Sequence, residues 1–442
     1  MSNNRVFNPI SAPDFLPREE RRKLQLARLQ RIVEHEYRNV ALYRDRMDAQ
    51  GVKPSDIRSL EDIARLPFMM KTDLRDTYPF GLFAVPMEEI VRMHASSGTT
   101  GKRIVLGYTR GDLDIWSECV ARGLAGAGVT AGDKIHIAYG YGLFTGGFGV
   151  HDGAQRLGTT VIPVSGGNTE QQIKLLEDLQ ADVIGCTPSY FVHMIDKAEK
   201  MGVDLRKLPV RIGIFGAEPW TQEMRRYIEE HAGIEAFDIY GLTEISGPGV
   251  GIECPEHVGI HIFEEYFYPE IIDPDTLQPL PDGEEGELVF TTLCKFGAPM
   301  IRYRTRDITR IIPEVCRCGR TLRRIDRIKR RSDDMIIFHG VNIFPSQVEA
   351  ALLQADPNTP HFRIQLDSGK SGLDVMTVEI ELRPELLSDR VEDMEALRRK
   401  FSFALDTILN IHAVVKLVPP NTIPRSEGKI KRVVDNRVPM VH

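Results

Sequence analysis

Apolar positions near the start of the chain recur at helical spacing. Within residues 17–44 they fall three or four positions apart, with charged side chains between them. The apolar set consists of Leu26, Leu29, Val33, Tyr37 and Val40. This spacing predicts one amphipathic surface helix across the segment.

From about residue 90 onward, short β-rich runs alternate with helical ones. The β-rich runs are DKIHIAYG, TTVIPVSG, ADVIGCTPS, VRIGIFGAEP and EAFDIYGLTE. Helical stretches between them include TEQQIKLLEDLQ and WTQEMRRYIEEHAG. Alternation at this spacing predicts βα units and a largely parallel sheet.

Residues 262–312 have a different pattern. Strand-like runs are divided there by the turn signals DPDT and PDGEEG, which predicts a smaller antiparallel or barrel-like subdomain. The charged stretch RIDRIKRRSDD follows as a candidate linker. We therefore predict an α/β fold with a large N-terminal lobe of mixed or parallel sheets, residues 1–331, and a small α+β C-terminal domain, residues 332–442.

The C-terminal segment contains two helical and two strand-like patterns. SQVEAALLQ and SDRVEDMEALRRKFSFALDTIL predict helices, and LDVMTVEIELRP and HAVVKLVP predict strands. Ser346 followed by Glu349 matches a capping box, so we expect the first helix to begin there.

Composition excludes several classes of protein. The chain has 442 residues, 42% hydrophobic and 27% charged, and a net charge of −7, which argues against a broad nucleic-acid surface. We find no apolar run near the ~20 residues of a membrane helix and no signal-peptide pattern. Six cysteines are too few for a disulfide scaffold. We expect a cytoplasmic protein with no membrane partner.

SSGTTGK forms a run of small, hydroxylated and glycine residues that ends in a cation. Small residues let backbone N–H groups approach phosphate oxygens, to which hydroxyls and a lysine also donate. The run comprises Ser96, Ser97, Gly98, Thr99, Thr100, Gly101 and Lys102. Its spacing differs from the G-x-x-x-x-G-K-[ST] P-loop, and a flexible loop is an equal alternative for such a run alone. The flanking strands VRMHA and IVLGYT favour a phosphate-binding hairpin.

Five motifs in a fixed order carry a family resemblance. SSGTTGK, YGLTE (240–244), RYRTRD (302–307), RRSDD (330–334) and PRSEGKIKR (424–432) resemble the successive motifs of the adenylate-forming superfamily. Longer stretches resemble its phenylacetate–CoA ligase branch: LPFMMKTDLRDTYPFGLFAVP, AYGYGLFTGGFGVH, FGAEPW, YPEIIDP and GVNIFPSQVE. The resemblance implies ATP-dependent activation of a carboxylic acid to acyl-AMP, then transfer to coenzyme A.

The resemblance also implies roles for individual residues. The SSGTTGK loop would bind the β- and γ-phosphates, Thr243 the α-phosphate and Glu244 Mg²⁺. Asp307 would accept hydrogen bonds from the ribose, helped by Arg331. Tyr240 of the YGLTE motif would stack on adenine. The other implied nucleotide contacts are Gly216, Ala217, Glu218, Pro219, Asp238 and Gly241. For a Tyr, Glu or Asp taken singly, an ordinary strand-end or surface role is the alternative.

Lys429 and Asp333 are assigned to the mobile part of the enzyme. By resemblance, Lys429 neutralises the carboxylate and α-phosphate as they meet, and Asp333 is the hinge on which the C-terminal domain rotates between half-reactions. A solvated basic turn and a surface acid are the alternatives for these two residues.

YGYGLFTGG mixes aromatic and glycine residues in a way that suits a flat ring. Glycine lets the backbone approach the ring, and aromatic side chains offer faces and edges to it. The candidate acid-binding residues are Tyr139, Tyr141, Phe144 and Gly147. The resemblance implies an arylacetate or a benzoate-like acid. No dedicated cation for a second carboxylate is evident, so we expect a monocarboxylic acid.

Two features of this sequence depart from the common pattern of the family. His339 stands before GVN, where an arginine is common, which puts the affinity for coenzyme A in question. Cys316 and Cys318 form a C-x-C motif, and Cys254 with His261 could complete a closed structural Zn²⁺ site. His261 is preferred to His257 because its segment predicts a strand; unrelated reduced cysteines are the alternative.

Three functions remain open from the sequence. The first is the aromatic acid–CoA ligase, with ATP, Mg²⁺ and coenzyme A as partners and a second copy of the chain as a candidate partner. The second is adenylation with transfer to a carrier-protein thiol or an amine. The third is a zinc-ribbon interaction or nucleic-acid-binding protein, which the acidic net charge and the five motifs disfavour.

Overall fold

The computed structural model describes most of the chain, in two compact units. The described residues are 8–96, 104–328, 330–331, 336–338, 341–359, 361–368, 374–387, 390–409, 411–425 and 431–437. The first unit comprises Met1–Cys186, Leu208–Ala217 and Phe237–Ile328, and the second comprises Thr187–Lys207, Glu218–Ala236 and Lys329–His442. The domain border between 331 and 332 stays a prediction, and the last segment of the second unit begins near it.

The regular elements follow the alternation that the sequence predicts. The helices are α1 (Arg18–Asn39), α2 (Ala41–Ala49), α3 (Lys71–Asp76), α4 (Arg110–Gly126), α5 (Thr145–Leu157), α6 (Thr169–Leu179), α7 (Pro188–Met201), α8 (Gln222–Ala232), α9 (Pro345–Ala355) and α10 (Val391–Leu409). The strands are β1 (Arg92–Ala95), β2 (Val105–Tyr108), β3 (Lys134–Ile137), β4 (Thr160–Ile162), β5 (Val183–Cys186), β6 (Ile212–Gly216), β7 (Glu235–Leu242), β8 (Gly247–Glu253), β9 (Ile260–Ile262), β10 (Phe267–Ile272), β11 (Gly286–Thr292), β12 (Tyr303–Thr309), β13 (Ile311–Ile312), β14 (Arg324–Ile325), β15 (Arg330–Arg331), β16 (Ile336–Phe338), β17 (Val341–Ile343), β18 (Phe362–Ser368), β19 (Asp374–Glu381), β20 (Val414–Val418) and β21 (Val433–Asp435).

The main sheet of the first unit is part parallel and part antiparallel. Its strand order is β13-β14-β9-β8-β7-β6-β5-β3-β4. β3 pairs in parallel with β4 and β5, and β5 pairs in parallel with β6. β8 pairs antiparallel with β7 and β9. Parallel strands buried on both faces need nearly continuous apolar runs, and β5 (VIGC) and β6 (IGIFG) are buried along their whole lengths.

The segment from 262 to 312 contains the predicted antiparallel strands. β10 pairs antiparallel with β11, and β11 with β12. The turn DPDT follows β10 directly, and Asp273 Oδ1 there accepts the N–H groups of Asp275 and Thr276. This side-chain cap ends β10 where the sequence predicts a turn.

The prediction of a single helix across 17–44 is wrong, because Val40 separates two helices. α1 ends at Asn39, Val40 is extended with φ −111° and ψ 106°, and α2 begins at Ala41. Val40 remains buried, and so do Tyr43 and Met47 on α2. These buried positions keep helical spacing across the break, so the apolar pattern alone gives no sign of it.

The second unit contains the predicted C-terminal helices and strands. Its four-stranded sheet has the order β20-β19-β18-β21, with β18 antiparallel to β19. α9 begins at Pro345, one residue before the predicted capping box at Ser346. The Phe344 N–H donates to Gln347 Oε1 at 2.9 Å, so Gln347 caps the helix where we expected Glu349 to do so.

No helix among the described residues combines the length and the apolar character needed to cross a membrane.

Candidate active site

Two glycines allow close approach of neighbouring strands: Gly216 between β6 and β7, and Gly241 between β7 and β8. A Cβ atom on Gly216 would lie 2.2 Å from Ile239 O, and one on Gly241 would lie 1.8 Å from Gly247 O. No side chain fits either position. Ala217 follows Gly216 with a φ of 73°, a left-handed conformation that non-glycine residues seldom adopt. Backbone strain of this kind often occurs at functional sites, and both glycines belong to the motifs FGAEPW and YGLTE.

Tyr240 and Asp307 meet although they come from different sheets. The Tyr240 hydroxyl at the end of β7 donates to Asp307 Oδ2 on β12 at 2.6 Å. Both side chains are buried, with 9% and 6% of their surface exposed. The Asp307 N–H donates to Thr305 Oγ1 at 3.0 Å, a bond within β12 beside the carboxylate. The structure therefore places the predicted adenine and ribose contacts beside each other.

Thr243 and Glu244 follow β7 directly and are both buried. Thr243 Oγ1 lies 3.3 Å from Thr145 Oγ1 at the start of α5. Glu244 Oε1 lies 3.4 Å from the ammonium of Lys71, whose side chain is 42% exposed. A carboxylate is the hard oxygen ligand that Mg²⁺ prefers, so the chemistry of Glu244 fits the predicted ion. The adjacent cation also suits a site that binds phosphate groups.

The strands beside SSGTTGK form the predicted hairpin. β1 pairs antiparallel with β2, and the Ser96 N–H donates to Ile104 O at 3.2 Å. The Ser96 side-chain hydroxyl is buried with no hydrogen-bond partner among the residues that the structure describes. Six predicted phosphate contacts lie outside the described residues: Ser97, Gly98, Thr99, Thr100, Gly101 and Lys102.

The four residues predicted to bind the acid occupy different environments. The Tyr139 hydroxyl donates to Ile214 O at 3.2 Å, and its side chain is buried. Tyr141 is half-buried, with its hydroxyl 3.2 Å from His151 Nδ1 and its ring edge-to-face with another aromatic ring. Phe144 is half-buried immediately before α5, and Gly147 lies within that helix. A Cβ atom on Gly147 would lie 2.8 Å from Gly140 O, so this position requires glycine.

The remaining predicted nucleotide contacts belong partly to the second unit. Asp238, in the first unit, donates its backbone N–H to Glu253 Oε2 at 2.9 Å. Glu218, Pro219 and Arg331 are part of the second unit. There, Glu218 Oε1 accepts the Ser189 N–H at 2.8 Å at the beginning of α7. Asp333 and Lys429 lie outside the described residues, and so does His339.

The three cysteines and His261 come together in the first unit. Cys254 follows β8, His261 lies on β9, and Cys316 and Cys318 lie between β13 and β14. Their ligand atoms all lie within 4.8 Å of one another. Cys254 Sγ is 3.6 Å from Cys316 Sγ, and Cys318 Sγ is 3.4 Å from His261 Nε2. A tetrahedral site with metal–sulfur bonds of about 2.3 Å has sulfur–sulfur edges of about 3.8 Å, so this cluster fits zinc in ligand type and spacing.

His257 lies outside this cluster. Its Nδ1 atom is 3.7 Å from Glu253 Oε2, and its ring packs against Phe237 with the ring centres 4.9 Å apart. Its backbone has a φ of 50°, which is the turn conformation that PEHVG predicts. The cluster therefore contains the histidine that lies on a strand.

Comparison with known proteins gives consistent matches along the chain. The family of AMP-binding enzymes matches residues 147–294, and the AMP-binding enzyme C-terminal domain matches residues 340–437. A phenylacetate-coenzyme A ligase of Aromatoleum evansii is 52% identical over 95% of this chain and 95% of its own length. The chain belongs to the phenylacetate–coenzyme A ligase family. A phenylacetate-coenzyme A ligase of Escherichia coli (strain K12) is 49% identical over 99% of each chain.

Solved structures agree with this family assignment. A crystal structure of 2-hydroxyisobutyryl-CoA ligase in the postadenylation state, in complex with R3-HIB-AMP, matches with a TM-score of 0.91 at 29% identity. The match covers 98% of this chain and 93% of that one. The same ligase in complex with 2-HIB-AMP and CoA, in the thioesterfication state, matches with a TM-score of 0.71 at 30% identity, over 99% of this chain and 94% of that one. The predicted α/β fold with a smaller C-terminal domain is confirmed.

Two lysines beside Glu244 have no role in the sequence-based prediction for this phenylacetate–CoA ligase family member. Lys71 lies in LPFMMKTDLRD, a stretch that carries the family resemblance without an assigned function. Lys295 is 5% exposed, and its ammonium donates to Glu244 O at 3.0 Å. Burial lowers the pKa of Lys295 to about 8, although nearby carboxylates oppose the shift. The only sign of Lys295 in the sequence is a lysine within the apolar run TTLCKFGAP. That sign does not show that its partner is Glu244, 51 positions earlier.

Proposed function

We propose that this chain joins an aromatic monocarboxylic acid, phenylacetate or a benzoate-like acid, to coenzyme A with ATP as the energy source. The acid's carboxylate attacks the α-phosphate of ATP and releases pyrophosphate, giving acyl-AMP. The coenzyme A thiolate then displaces AMP and forms the thioester. The proposal rests on the sequence identity of 52% and 49% to two phenylacetate-coenzyme A ligases over nearly the full chain.

The paired Tyr240 and Asp307 side chains support nucleotide binding at the ends of β7 and β12. The Tyr240 ring would stack on adenine while its hydroxyl holds the Asp307 carboxylate in place. The second oxygen of that carboxylate would accept the ribose hydroxyls, because an ionised carboxylate has several acceptor positions. One tyrosine would thus both bind the base and orient the group that binds the sugar.

Thr243 and Glu244 would act at the phosphates. The Thr243 hydroxyl would donate to the α-phosphate, and Glu244 would hold Mg²⁺, which neutralises phosphate charge during the transfer. Lys71 would share that task, since its ammonium already lies 3.4 Å from Glu244. The loop from Ser96 to Lys102 would hold the β- and γ-phosphates, and Lys429 would meet the reacting carboxylate.

The aromatic acid would lie against the segment from Tyr141 to Gly147. Gly147 permits close approach of the backbone, and Tyr141 and Phe144 are half-buried aromatic side chains that can face a ring. Tyr139 would anchor the start of this segment to the main sheet, because its hydroxyl donates to Ile214 O on β6.

The cluster of Cys254, His261, Cys316 and Cys318 would hold a structural Zn²⁺ ion. Three thiolates and one imidazole complete a tetrahedral shell, which leaves no position for substrate. The ion would tie the β8–β9 connection to the segment between β13 and β14. The site therefore contributes to stability and takes no part in the acid-to-thioester chemistry.

Removal of the Asp307 side chain should weaken ATP use strongly. In Asp307→Ala we expect kcat/KM for ATP to fall by about 10- to 100-fold, since charged hydrogen bonds to the ribose are lost. Tyr240→Phe, which retains the ring and the carboxylate, should lose less. Steady-state kinetics with varied ATP would measure both, and an unchanged KM for ATP in Asp307→Ala would refute the ribose role.

A panel of acids tests the proposed substrate class. Phenylacetate and benzoate-like acids should give higher kcat/KM than aliphatic acids of equal size, and aromatic dicarboxylates should react poorly. The thioester is measured by mass with coenzyme A as the acceptor, and parallel reactions contain carrier-protein thiols. A preference for aliphatic acids would contradict the aromatic site. Faster transfer to a carrier-protein thiol than to coenzyme A would show that the carrier is the acceptor.

A further inference from the structure

The backbone that carries Thr243 and Glu244 is held from behind by two buried side chains. The Tyr108 hydroxyl lies 3.3 Å from Thr243 O and 3.0 Å from Ser246 O, and its one proton is shared between these two acceptors. The Lys295 ammonium donates to Glu244 O at 3.0 Å. Three carbonyl groups within four consecutive residues are thus fixed by side chains from other parts of the first unit.

Lys295 and Tyr108 also support each other. The Lys295 ammonium lies 5.0 Å from the centre of the Tyr108 ring, which is a cation–π distance. The Tyr108 ring stacks on Trp116, with the ring centres 5.4 Å apart and the planes 22° apart. Because β2 follows the SSGTTGK loop directly, Tyr108 links that loop's strand to the segment that carries Glu244.

The position of Lys295 is set by its own backbone. The N–H groups of the next two residues, Phe296 and Gly297, donate to the two carboxylate oxygens of Asp112 at 2.7 and 2.9 Å. Asp112 also accepts the Thr109 N–H at the beginning of α4. An ammonium on a backbone anchored in this way can reach Glu244 O with little freedom to move elsewhere.

The contacts of Lys295 offset the free-energy cost of burying its ammonium. Taking an ammonium out of water is unfavourable unless it is bonded or near opposite charge. Lys295 has a carbonyl acceptor and an aromatic face, and the nearby carboxylates of Asp112 and Glu244 favour its charged form.

We propose that Lys295 and Tyr108 are positioning residues that fix the Thr243–Glu244 backbone, so that the hydroxyl and the carboxylate are aligned before nucleotide and metal bind. This inference rests on the proposed roles of Thr243 and Glu244. A charge-assisted hydrogen bond from Lys295 holds the Glu244 carbonyl more firmly than a neutral donor would. Preorganised groups need no rearrangement when the α-phosphate is attacked.

Lys295→Met and Tyr108→Phe test the proposal in the full chain. Methionine retains the apolar length of lysine, and phenylalanine retains the ring while losing the hydroxyl. We expect the kcat for pyrophosphate release to fall about 10- to 100-fold in Lys295→Met, and the Mg²⁺ concentration for half-maximal rate to rise several-fold. The KM for the acid should stay within about twofold, since no acid contact changes. Tyr108→Phe should shift both quantities in the same direction by less.

Three comparison variants separate the possible results. Lys295→Arg should restore part of the rate, because its guanidinium can donate to the same carbonyl. Lys416→Met, which removes an exposed lysine of the second unit, should behave as the parent protein. Glu244→Gln tests the proposed metal ligand itself. A Mg²⁺ shift in Glu244→Gln but not in Lys295→Met would overturn the positioning role. No shift in Glu244→Gln would instead overturn the metal assignment.

Folding is checked separately by the thermal transition of each variant. A loss of rate in Lys295→Met that matches the loss of folded protein, with an unchanged Mg²⁺ requirement, would make Lys295 a structural residue only. If Lys295→Met does not fold, Tyr108→Phe decides by the same Mg²⁺ measurement, because it removes a donor to the same segment. An unchanged Mg²⁺ requirement in Tyr108→Phe would then overturn the proposal.

Discussion

Lys429→Ala is expected to abolish acid-dependent release of pyrophosphate while largely sparing thioester formation from supplied acyl-AMP. The family resemblance places this lysine where the acid's carboxylate meets the α-phosphate, two groups that repel each other without a cation between them. Loss of a positioned charge at such a point costs about 100- to 1,000-fold or more in rate. The second half-reaction starts from an adenylate in which that bond already exists, so it does not need the same cation.

Lys431→Ala is the matched control, because it removes an exposed lysine from the same basic stretch. Its adenylation rate should stay near that of the parent protein. Asp333→Pro should have the opposite effect to Lys429→Ala, since a proline at the predicted hinge would hinder rotation while leaving adenylation intact. Pyrophosphate exchange and single-turnover thioester formation measure the two half-reactions. Equal loss of both in Lys429→Ala would refute the role assigned to the lysine.

The purified chain is expected to contain about one Zn²⁺ ion, and its removal should destabilise the first unit. Cys254 and Cys316 are 62 positions apart, so the ion would close a long loop between strands of one sheet. In Cys316→Ser we expect zinc to be lost and the free energy of unfolding to fall by about 3–5 kcal/mol. This is less than the ~10 kcal/mol or more by which zinc stabilises an isolated finger, since the surrounding sheet has its own core.

Elemental analysis and chemical denaturation of histidine variants test the same site. His261→Ala should lose zinc and stability, whereas His257→Ala should retain both. Chain that stays folded without zinc should retain its kcat, because the four-ligand shell offers no open position to substrate. Absence of zinc from the parent protein would discard the site, and loss of zinc only in His257→Ala would reverse the choice of histidine.

Local patterns predict elements well where one period dominates. The β-rich runs from DKIHIAYG to EAFDIYGLTE correspond to β3–β7. The signal is most continuous in β5 and β6, which are buried along their whole lengths. The break at Val40 was not predictable, since the apolar spacing continues through it. Val40, Tyr43 and Met47 are buried at helical spacing on both sides of the break, so the sequence pattern is the same with or without it.

Motifs with short spacing identify candidate residues, but distance in the sequence hides their partners. Tyr240 and Asp307 could both be named from YGLTE and RYRTRD, yet the bond between their side chains spans 67 positions. Lys295 belongs to no motif, and its significance depends on a carbonyl group, which has no sequence signature. Tyr139 stays a predicted acid contact, and its hydrogen bond to the backbone of β6, 75 positions away, has no signal in the sequence.

The most direct test of the central claim measures the products of the purified chain with ATP, Mg²⁺, phenylacetate and coenzyme A. The proposed reaction yields AMP, pyrophosphate and aryl-CoA thioester in equal amounts, and acyl-AMP should remain bound when coenzyme A is withheld. Phosphorus NMR and mass spectrometry would quantify the three products in the complete reaction and the acyl-AMP in a parallel reaction without coenzyme A. Formation of ADP and an acyl phosphate, or of AMP without any thioester when coenzyme A is present, would contradict the account.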